Sequence, residues 1–282
     1  MHTVLDIIKK TTEYLTGKGV ENARLNAEHL VGHAMGLPRM QLYLQFERPL
    51  IESELEQIRG MVRRRGQREP LQYIVGETDF FGITLKVDRR ALIPRPETEY
   101  LLSLVVAKLP QPPTTILDLG TGSGAIALAL AAHYPKTQVA ALDISSEAIA
   151  LATENTKSLS LGDRVSVLQS DWFGQLSGDA KFQLIVANPP YLSAEETADS
   201  LAEVRNYEPR VALTPGITGL EAYRHIIGHA LAHLEHSGLI AMETGIAQHE
   251  ELARLFTTAG YARFEFAADL TGRPRYAFAW VD

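Results

Sequence analysis

The chain has 282 residues, 45% of them hydrophobic and 22% charged, which is enough for one large or two modest globular domains. Its formal charge of -7 at pH 7 argues against a general nucleic-acid binder, and the absence of cysteine excludes a disulfide frame, a thiolate nucleophile and a cysteine-type zinc site. Residues Met1 to Lys10 mix both charges with no uninterrupted apolar core, unlike a secretory signal, and no run is long enough to span a bilayer, so a soluble cytoplasmic protein is expected.

From Thr3 to about Tyr43 the apolar residues Val4, Leu5, Ile7 and Ile8, then Leu25, Leu30, Val31 and Ala34, recur at three-and-four spacing. This predicts helices punctuated by Gly17, Gly19, Gly36 and Pro38. Another helix is predicted from Glu52 to about Arg65. The helical unit, residues 1–75, carries no catalytic cluster and reads as a docking element. Its arginines Arg59, Arg63, Arg64, Arg65 and Arg68 suit either a solvated helix face or a surface for an acidic or RNA-bearing partner. His29 and His33 lie one helical turn apart, but no carboxylate motif accompanies them, and no metal site is expected.

From Leu71 the period changes towards two. Leu71, Tyr73 and Val75 alternate, Gly76 to Asp79 supplies a turn, and Ile83, Leu85 and Val87 alternate again, which predicts a hairpin linker over residues 76–95. Pro94 to Glu99 opens a helix with Pro96 in its first turn and acids near the positive end of its dipole. After Thr114 strands and helices alternate. Strands are predicted at Ile116–Leu119, Val139–Asp143, Val165–Gln169, Phe182–Ala187 and Leu239–Glu243, with two closing strands near Phe264 and from Tyr276 to Val281. Helices are predicted at about Ser123–Ala132, Ser146–Ser158, Leu220–His236 and Ala247–Ala259, and a long polar loop follows the Phe182–Ala187 strand. The expectation is an α/β domain over residues 96–282, a mostly parallel seven-stranded sheet covered on both faces.

Two stretches carry chemistry. The first, Asn188-Pro189-Pro190-Tyr191, ends the apolar run Phe182–Ala187, at the carboxyl end of a strand where open α/β sheets bind ligands. An Asn side-chain oxygen and the carbonyl of the next Pro are two acceptors held close together, which suits a planar NH2 group, and Tyr191 can lie against its face. A rigid Pro-rich turn is the plain alternative. The second stretch is Asp118 to Gly124, where the glycine-rich loop Gly120-Thr121-Gly122-Ser123-Gly124 joins a strand to a helix and can bring backbone N–H groups close to an anionic ligand group. Asp143, about twenty residues on, can accept ribose hydroxyls. With Ala125 the loop also satisfies the relaxed dinucleotide pattern, so glycine spacing leaves nicotinamide and other adenosine cofactors open. The Asp118 carboxylate would repel a pyrophosphate and tolerate the ammonium and sulfonium of S-adenosyl-L-methionine, which favours the methyl donor. Asp171 and Trp172 end the third strand, where they can receive an adenine ring and its amino group, and Glu243 is either a further acid at this edge or a solvated strand end.

These residues resemble the class I, Rossmann-like methyltransferases that modify planar exocyclic or amide nitrogens. Three further stretches narrow the resemblance to the HemK/PrmC family: Pro70-Leu71-Gln72-Tyr73-Ile74 with Phe81-Gly82, then Leu92 to Glu99, and Tyr207-Glu208-Pro209 with Ala212-Leu213 and Gly219-Leu220. Members of that family methylate the side-chain nitrogen (N5) of the glutamine in the Gly-Gly-Gln motif of peptide-chain release factors. The resemblance implies that Gly120 to Gly124, Asp143 and Trp172 bind S-adenosylmethionine, and that Asn188 and the Pro189 carbonyl hold the glutamine amide with Tyr191 against its face. It also implies that residues 1–75 dock the release factor. A monomer without stable nucleic acid or membrane association is expected. The rivals are a glutamine methyltransferase of a ribosomal protein, a nucleic-acid amino-group methyltransferase, an NAD-dependent oxidoreductase and a cofactor-sensing module without catalysis.

Overall fold

Thr3 and Asp6 cap each other's backbone at the start of the chain. The Asp6 N–H donates to Thr3 Oγ1 at 3.2 Å and the Thr3 N–H to Asp6 Oδ2 at 3.1 Å, which fixes where the first helix begins. The computed structural model describes residues 2–214 and 216–282; Met1, where the expected helical unit starts, lies outside them. The described residues form two units, one running to Glu77 and taking in Leu201–Tyr207, the other comprising Thr78–Ser200 and Glu208–Asp282.

The first unit is built from α1 (Val4–Gly17), α2 (Ala23–Met35), α3 (Arg39–Leu42), α4 (Glu52–Gly66) and α5 (Leu71–Val75). Val4, Ile8, Val31, Leu42 and Ile58 form one buried cluster, and Leu15, Leu30, Met61 and Ile74 another. The segment Leu71–Val75, expected to be extended, is a helix. Leu71, Ile74 and Val75 satisfy helical spacing as well as Leu71, Tyr73 and Val75 satisfy alternation, and Pro70 and a left-handed Gly76 (φ 88°) bound the turn.

The arginine run is a solvated face only in part: Arg59, Arg63 and Arg64 are exposed, Arg65 is buried and Arg68 half-buried. Arg65 is buried and donates to Asn26 Oδ1 at 2.7 Å, to the Glu69 carbonyl at 3.0 Å and to Glu203 Oε1 at 3.0 Å. Arg68 grips both oxygens of Glu203, at 2.8 and 2.7 Å, and Arg64 both oxygens of Glu69, each at 2.9 Å. Arg59 pairs with Glu52 in the open, and Arg63 is exposed. His29 and His33 are both exposed on α2.

The second unit opens with a hairpin of β1 (Glu77–Phe80) and β2 (Ile83–Lys86). Its turn is Phe81-Gly82, both at positive φ (46° and 83°), rather than the expected Gly76 to Asp79, because two residues with that twist close a hairpin directly. There follow α6 (Pro96–Lys108), β3 (Thr115–Leu119), α7 (Ala125–His133), β4 (Gln138–Asp143), α8 (Ser146–Ser158), β5 (Val165–Gln169), β6 (Phe182–Ala187) and α9 (Ala194–Asp199); α10 (Ala202–Tyr207), next in the chain, belongs to the first unit. The chain closes with α11 (Glu221–Ala230), β7 (Leu234–Glu243), α12 (His249–Ala259), β8 (Arg263–Ala268) and β9 (Pro274–Trp280). Two of these correct the expectations. The stretch after β6 is no featureless loop: Ser193 and Glu196 form a capping box that starts α9. The helix expected to reach His236 ends at Ala230, since Leu234 already pairs with Phe182 in the sheet.

The seven strands lie in the order β5-β4-β3-β6-β7-β9-β8, with β9 alone antiparallel to its neighbours. Ile116, Leu184, Val186, Leu239 and Ala241 face α6 and α7 in one buried cluster, while Leu117, Leu119, Ile185, Ile240 and Met242 join α11 and α12 in another. Both faces are covered, which is why these strands read as unbroken apolar runs.

Replacing Glu203 with Ala leaves the buried Arg65 without its counter-charge and should cost about 3 kcal/mol, whereas Glu52→Ala, whose pair with Arg59 is exposed, should cost less than about 1 kcal/mol. Urea titration of the two variants measures the difference.

Candidate active site

The parallel register decides which residues meet. Leu119 of β3 is the partner of Ala187 of β6, and Ala187 is the partner of Met242 of β7. Gly120, Asn188 and Glu243 therefore stand beside one another at the carboxyl edge of three neighbouring strands. On the other side Leu119 pairs with Leu142 and Asp143 with Gln169, which carries the edge on to the residues after β4 and β5. The strand order reverses between β3 and β6, the switch point where open sheets hold ligands.

A cavity of about 270 Å³ lies there. Of the residues singled out in the sequence, Gly120, Thr121, Gly122, Ser123, Asp143, Asp171, Trp172, Asn188 and Pro190 line it. Gly124, Pro189 and Tyr191 do not form part of its wall. Gly124 caps α7 at φ 85°, and a Cβ there would stand 2.9 Å from Leu128 Cδ1 of the same helix and 3.4 Å from Ala152 of α8, so this glycine serves the left-handed turn into α7 and its packing beside α8.

The glycine loop does not present a row of free N–H groups. Gly120 and Thr121 N–H both donate to the Leu142 carbonyl, at 2.8 and 2.9 Å, Gly124 N–H donates to the Thr121 carbonyl, and Gly122 N–H donates to Asp143 Oδ2 at 2.9 Å. Most of the expected anion cradle is thus spent on tying the loop to β4 or to itself, and the Ser123 N–H alone of these five has no partner among the described residues. Nor does Asp118 face a ligand: it is fully buried, accepting from Thr121 Oγ1 at 2.6 Å and Ala127 N–H at 3.1 Å, while its Oδ1 has no partner. Burial pushes its pKa up to about 7 against the pull of those two bonds.

The two arginines of the wall are already paired. Arg90 is held by Asp88 and Glu154, and Arg95 by both oxygens of the buried Glu208, at 2.7 and 2.8 Å. Asp143 Oδ1 accepts from Ser145 N–H at 2.9 Å, and the carboxylate has capacity left for a further donor. The cavity therefore offers acceptors and little to receive a phosphate. This disfavours a dinucleotide on grounds other than those the sequence suggested.

Tyr191 turns its hydroxyl inward. It accepts from Arg275 Nη1 at 3.1 Å and donates to Glu243 Oε1 at 3.1 Å, and burial together with the Glu243 charge raises its pKa. Glu243 is no solvated strand end: it is 1% exposed, takes a hydrogen bond from Thr98 Oγ1 at 2.6 Å, and Asn188 Nδ2 donates to that same Thr98 oxygen at 3.0 Å. Burial raises the Glu243 pKa, and Thr98, Arg275 and Tyr191 oppose the rise. Thr98, Arg95 and Glu208 lie in stretches that carried the family resemblance, but nothing in their spacing, or in that of Arg275, announced what they touch.

The unfolded Asp118 carboxyl ionises near 3.8, whereas the folded one holds its proton to about 7. Its contribution to stability is present below pH 4 and lost as pH rises through about 7, a few kcal/mol at about 1.4 kcal/mol per unit. Urea unfolding at pH 5 and pH 8 should show Asp118→Asn gaining on the parent chain as pH rises.

A family model described as the PrmC N-terminal domain matches residues 6–76, and one described as the methyltransferase small domain matches residues 98–216. The release factor glutamine methyltransferase of Geobacter sulfurreducens is 41% identical over 97% of this chain and 95% of its own length. That of Rhodopirellula baltica is 38% identical over 97% and 94%. A solved methyltransferase from Pyrococcus furiosus shares the fold with a TM-score of 0.53 at 18% identity, over 71% of this chain and 89% of its own. With near-complete coverage at such identity, the chain belongs to the release factor glutamine methyltransferase family.

Proposed function

We propose that the chain transfers a methyl group from S-adenosylmethionine to N5 of the glutamine in the Gly-Gly-Gln motif of peptide-chain release factors. Family membership supports the reaction class, and one observation carries it to particular atoms. Asn188 stands on the cavity wall beside Gly120 with its Nδ2 committed to Thr98, and neither its Oδ1 nor the Pro189 carbonyl oxygen has a hydrogen-bond partner among the described residues. Two unspent acceptors on consecutive residues match the two N–H bonds of a primary amide.

The cavity suits the donor. Asp143 would take the ribose hydroxyls, Gly120, Thr121, Gly122 and Ser123 would pass close beneath the ligand, and Asp171 with Trp172 would receive the adenine. A wall whose arginines are paired and which carries Asp143 and Asp171 favours a positively charged ligand over a phosphate. When bound, S-adenosylmethionine supplies an electrophilic methyl group on a positively charged sulfur.

An amide nitrogen is a poor nucleophile because its lone pair is delocalised into the carbonyl. Asn188 and Pro189 hold both of its protons and so fix its direction and enrich it in electrons, which makes alignment the main source of rate. The nitrogen then carries one proton too many and releases it after the new bond has formed, so no base is needed beforehand. Pro190 stiffens this turn. Tyr191, anchored through its hydroxyl, would offer its ring from outside the cavity wall.

Residues 1–75 would dock the release factor, residues 76–95 link, and residues 96–282 carry out transfer. The chain would act as a monomer without stable nucleic acid, consistent with its charge of -7.

Incubating the chain with a release factor and isotopically labelled methyl donor should place one methyl on the Gly-Gly-Gln peptide, read by mass spectrometry. Asn188→Ala should lower turnover by about 10²–10³-fold, the scale for losing one polar group that grips the reacting centre, with donor binding by calorimetry little changed. Near-normal turnover in that variant would refute the assignment.

A further inference from the structure

A primary amide has two ends of nearly equal shape and opposite polarity, and the chemistry above needs Asn188 to show the cavity its oxygen. Were the side chain turned over, its NH2 would meet the substrate's NH2, donor against donor. The cavity itself gives Asn188 no reason to prefer one orientation. The reason lies behind it.

We infer that Thr98 and Glu243 are positioning residues that dictate which end of the Asn188 amide faces the cavity. The argument rests on the direction of each hydrogen bond. A guanidinium can only donate, so Tyr191 must accept from Arg275 Nη1, at 3.1 Å, and its own proton is free to go to Glu243 Oε1, at 3.1 Å. A carboxylate can only accept, so the Thr98 hydroxyl donates to Glu243 Oε2, at 2.6 Å. That hydroxyl has a single proton and has now spent it. Towards Asn188 its oxygen can only accept, and Asn188 accordingly turns Nδ2 to it at 3.0 Å, leaving Oδ1 over for the cavity.

The chain of bonds has a donor-only group at one end and an acceptor-only group in its middle, so its polarity cannot run the other way while Glu243 is charged. Its members are held in place: Glu243 is 1% and Thr98 4% exposed, and the Glu243 backbone carbonyl takes a further bond from the buried Tyr223 hydroxyl at 2.9 Å. Glu243 touches neither the cavity nor the reacting atoms, and Thr98 reaches the cavity wall but acts through Asn188. The inference deepens the proposed function and rests on it.

The test is steady-state and single-turnover methylation of a release factor by the full-length chain. Thr98→Val keeps the side-chain shape and removes the hydroxyl, and should lower kcat by about tenfold, the size expected of one neutral hydrogen bond, with KM for the donor unchanged. Thr98→Ser restores the hydroxyl and should recover most of the rate. Glu243→Gln lets a carboxamide donate to Thr98, which frees the Thr98 proton for Asn188 Oδ1, and should also lower kcat rather than donor affinity. The deciding measurement is the double variant Asn188→Ala with Thr98→Val: if Thr98 works only through Asn188, the second change costs nothing further. An unimpaired Thr98→Val enzyme, or equal losses with and without Asn188, overturns the inference while leaving the methylation reading intact. A parent enzyme that leaves the release-factor glutamine unmodified overturns that reading, and the positioning role with it.

Discussion

The site depends on strand register more than on any single side chain. Because β3, β6 and β7 run parallel with Leu119, Ala187 and Met242 at one level, the residues that follow them leave the sheet side by side. A shift of one residue in β6 would turn Asn188 to the other face of the sheet and separate it from Thr98 and Glu243. Both faces are apolar, with Leu184 and Val186 on one and Ile185 and Ala187 on the other, so the fit of these side chains in two close-packed clusters, and not polarity, resists that shift. The same burial that stabilises the sheet thus fixes the edge where the chemistry sits.

Behind that edge the structure spends polar groups on order rather than on ligands. The glycine loop uses most of its N–H groups to grip Leu142, Thr121 and Asp143, the wall arginines are neutralised by Glu154, Asp88 and Glu208, and Glu243 gathers Thr98 and Tyr191. What is left facing the cavity is a small set of acceptors. A ligand with positive charge and hydroxyl groups is the natural complement. The selectivity lies in which groups have been withdrawn from the wall.

Much of this was readable in the sequence, and the failures have physical causes. The strands of the sheet announced themselves because both faces are covered, so apolar residues follow one another without a break. Asn188 and Asp143 were legible as ends of such strands, whereas Trp172 lies three residues past β5, an edge strand with exposed residues. Leu71–Val75 was misread because five residues satisfy a period of two and a period of 3.6 alike, and only the flanking Pro70 and Gly76 separate them. The roles of Gly124 and Asp118 were misjudged because glycine spacing does not say whether a loop gives its N–H groups to a ligand or to the neighbouring strand. Thr98 and Glu243 could not be paired at all: 145 residues separate them, and only the register brings them together. Arg65 and Arg68 looked like part of a surface for the same reason, since the acid that receives them lies far along the chain.

That last pairing bears on how the protein comes off the ribosome. Amino-terminal domains usually fold first during synthesis, as soon as their own chain has emerged. Here the helical unit is completed by Leu201–Tyr207, and the carboxylate that meets Arg65 is made 138 residues after it. Until then a guanidinium destined for the interior has no counter-charge, so the helical unit cannot reach its final state before Leu201–Tyr207 has been made.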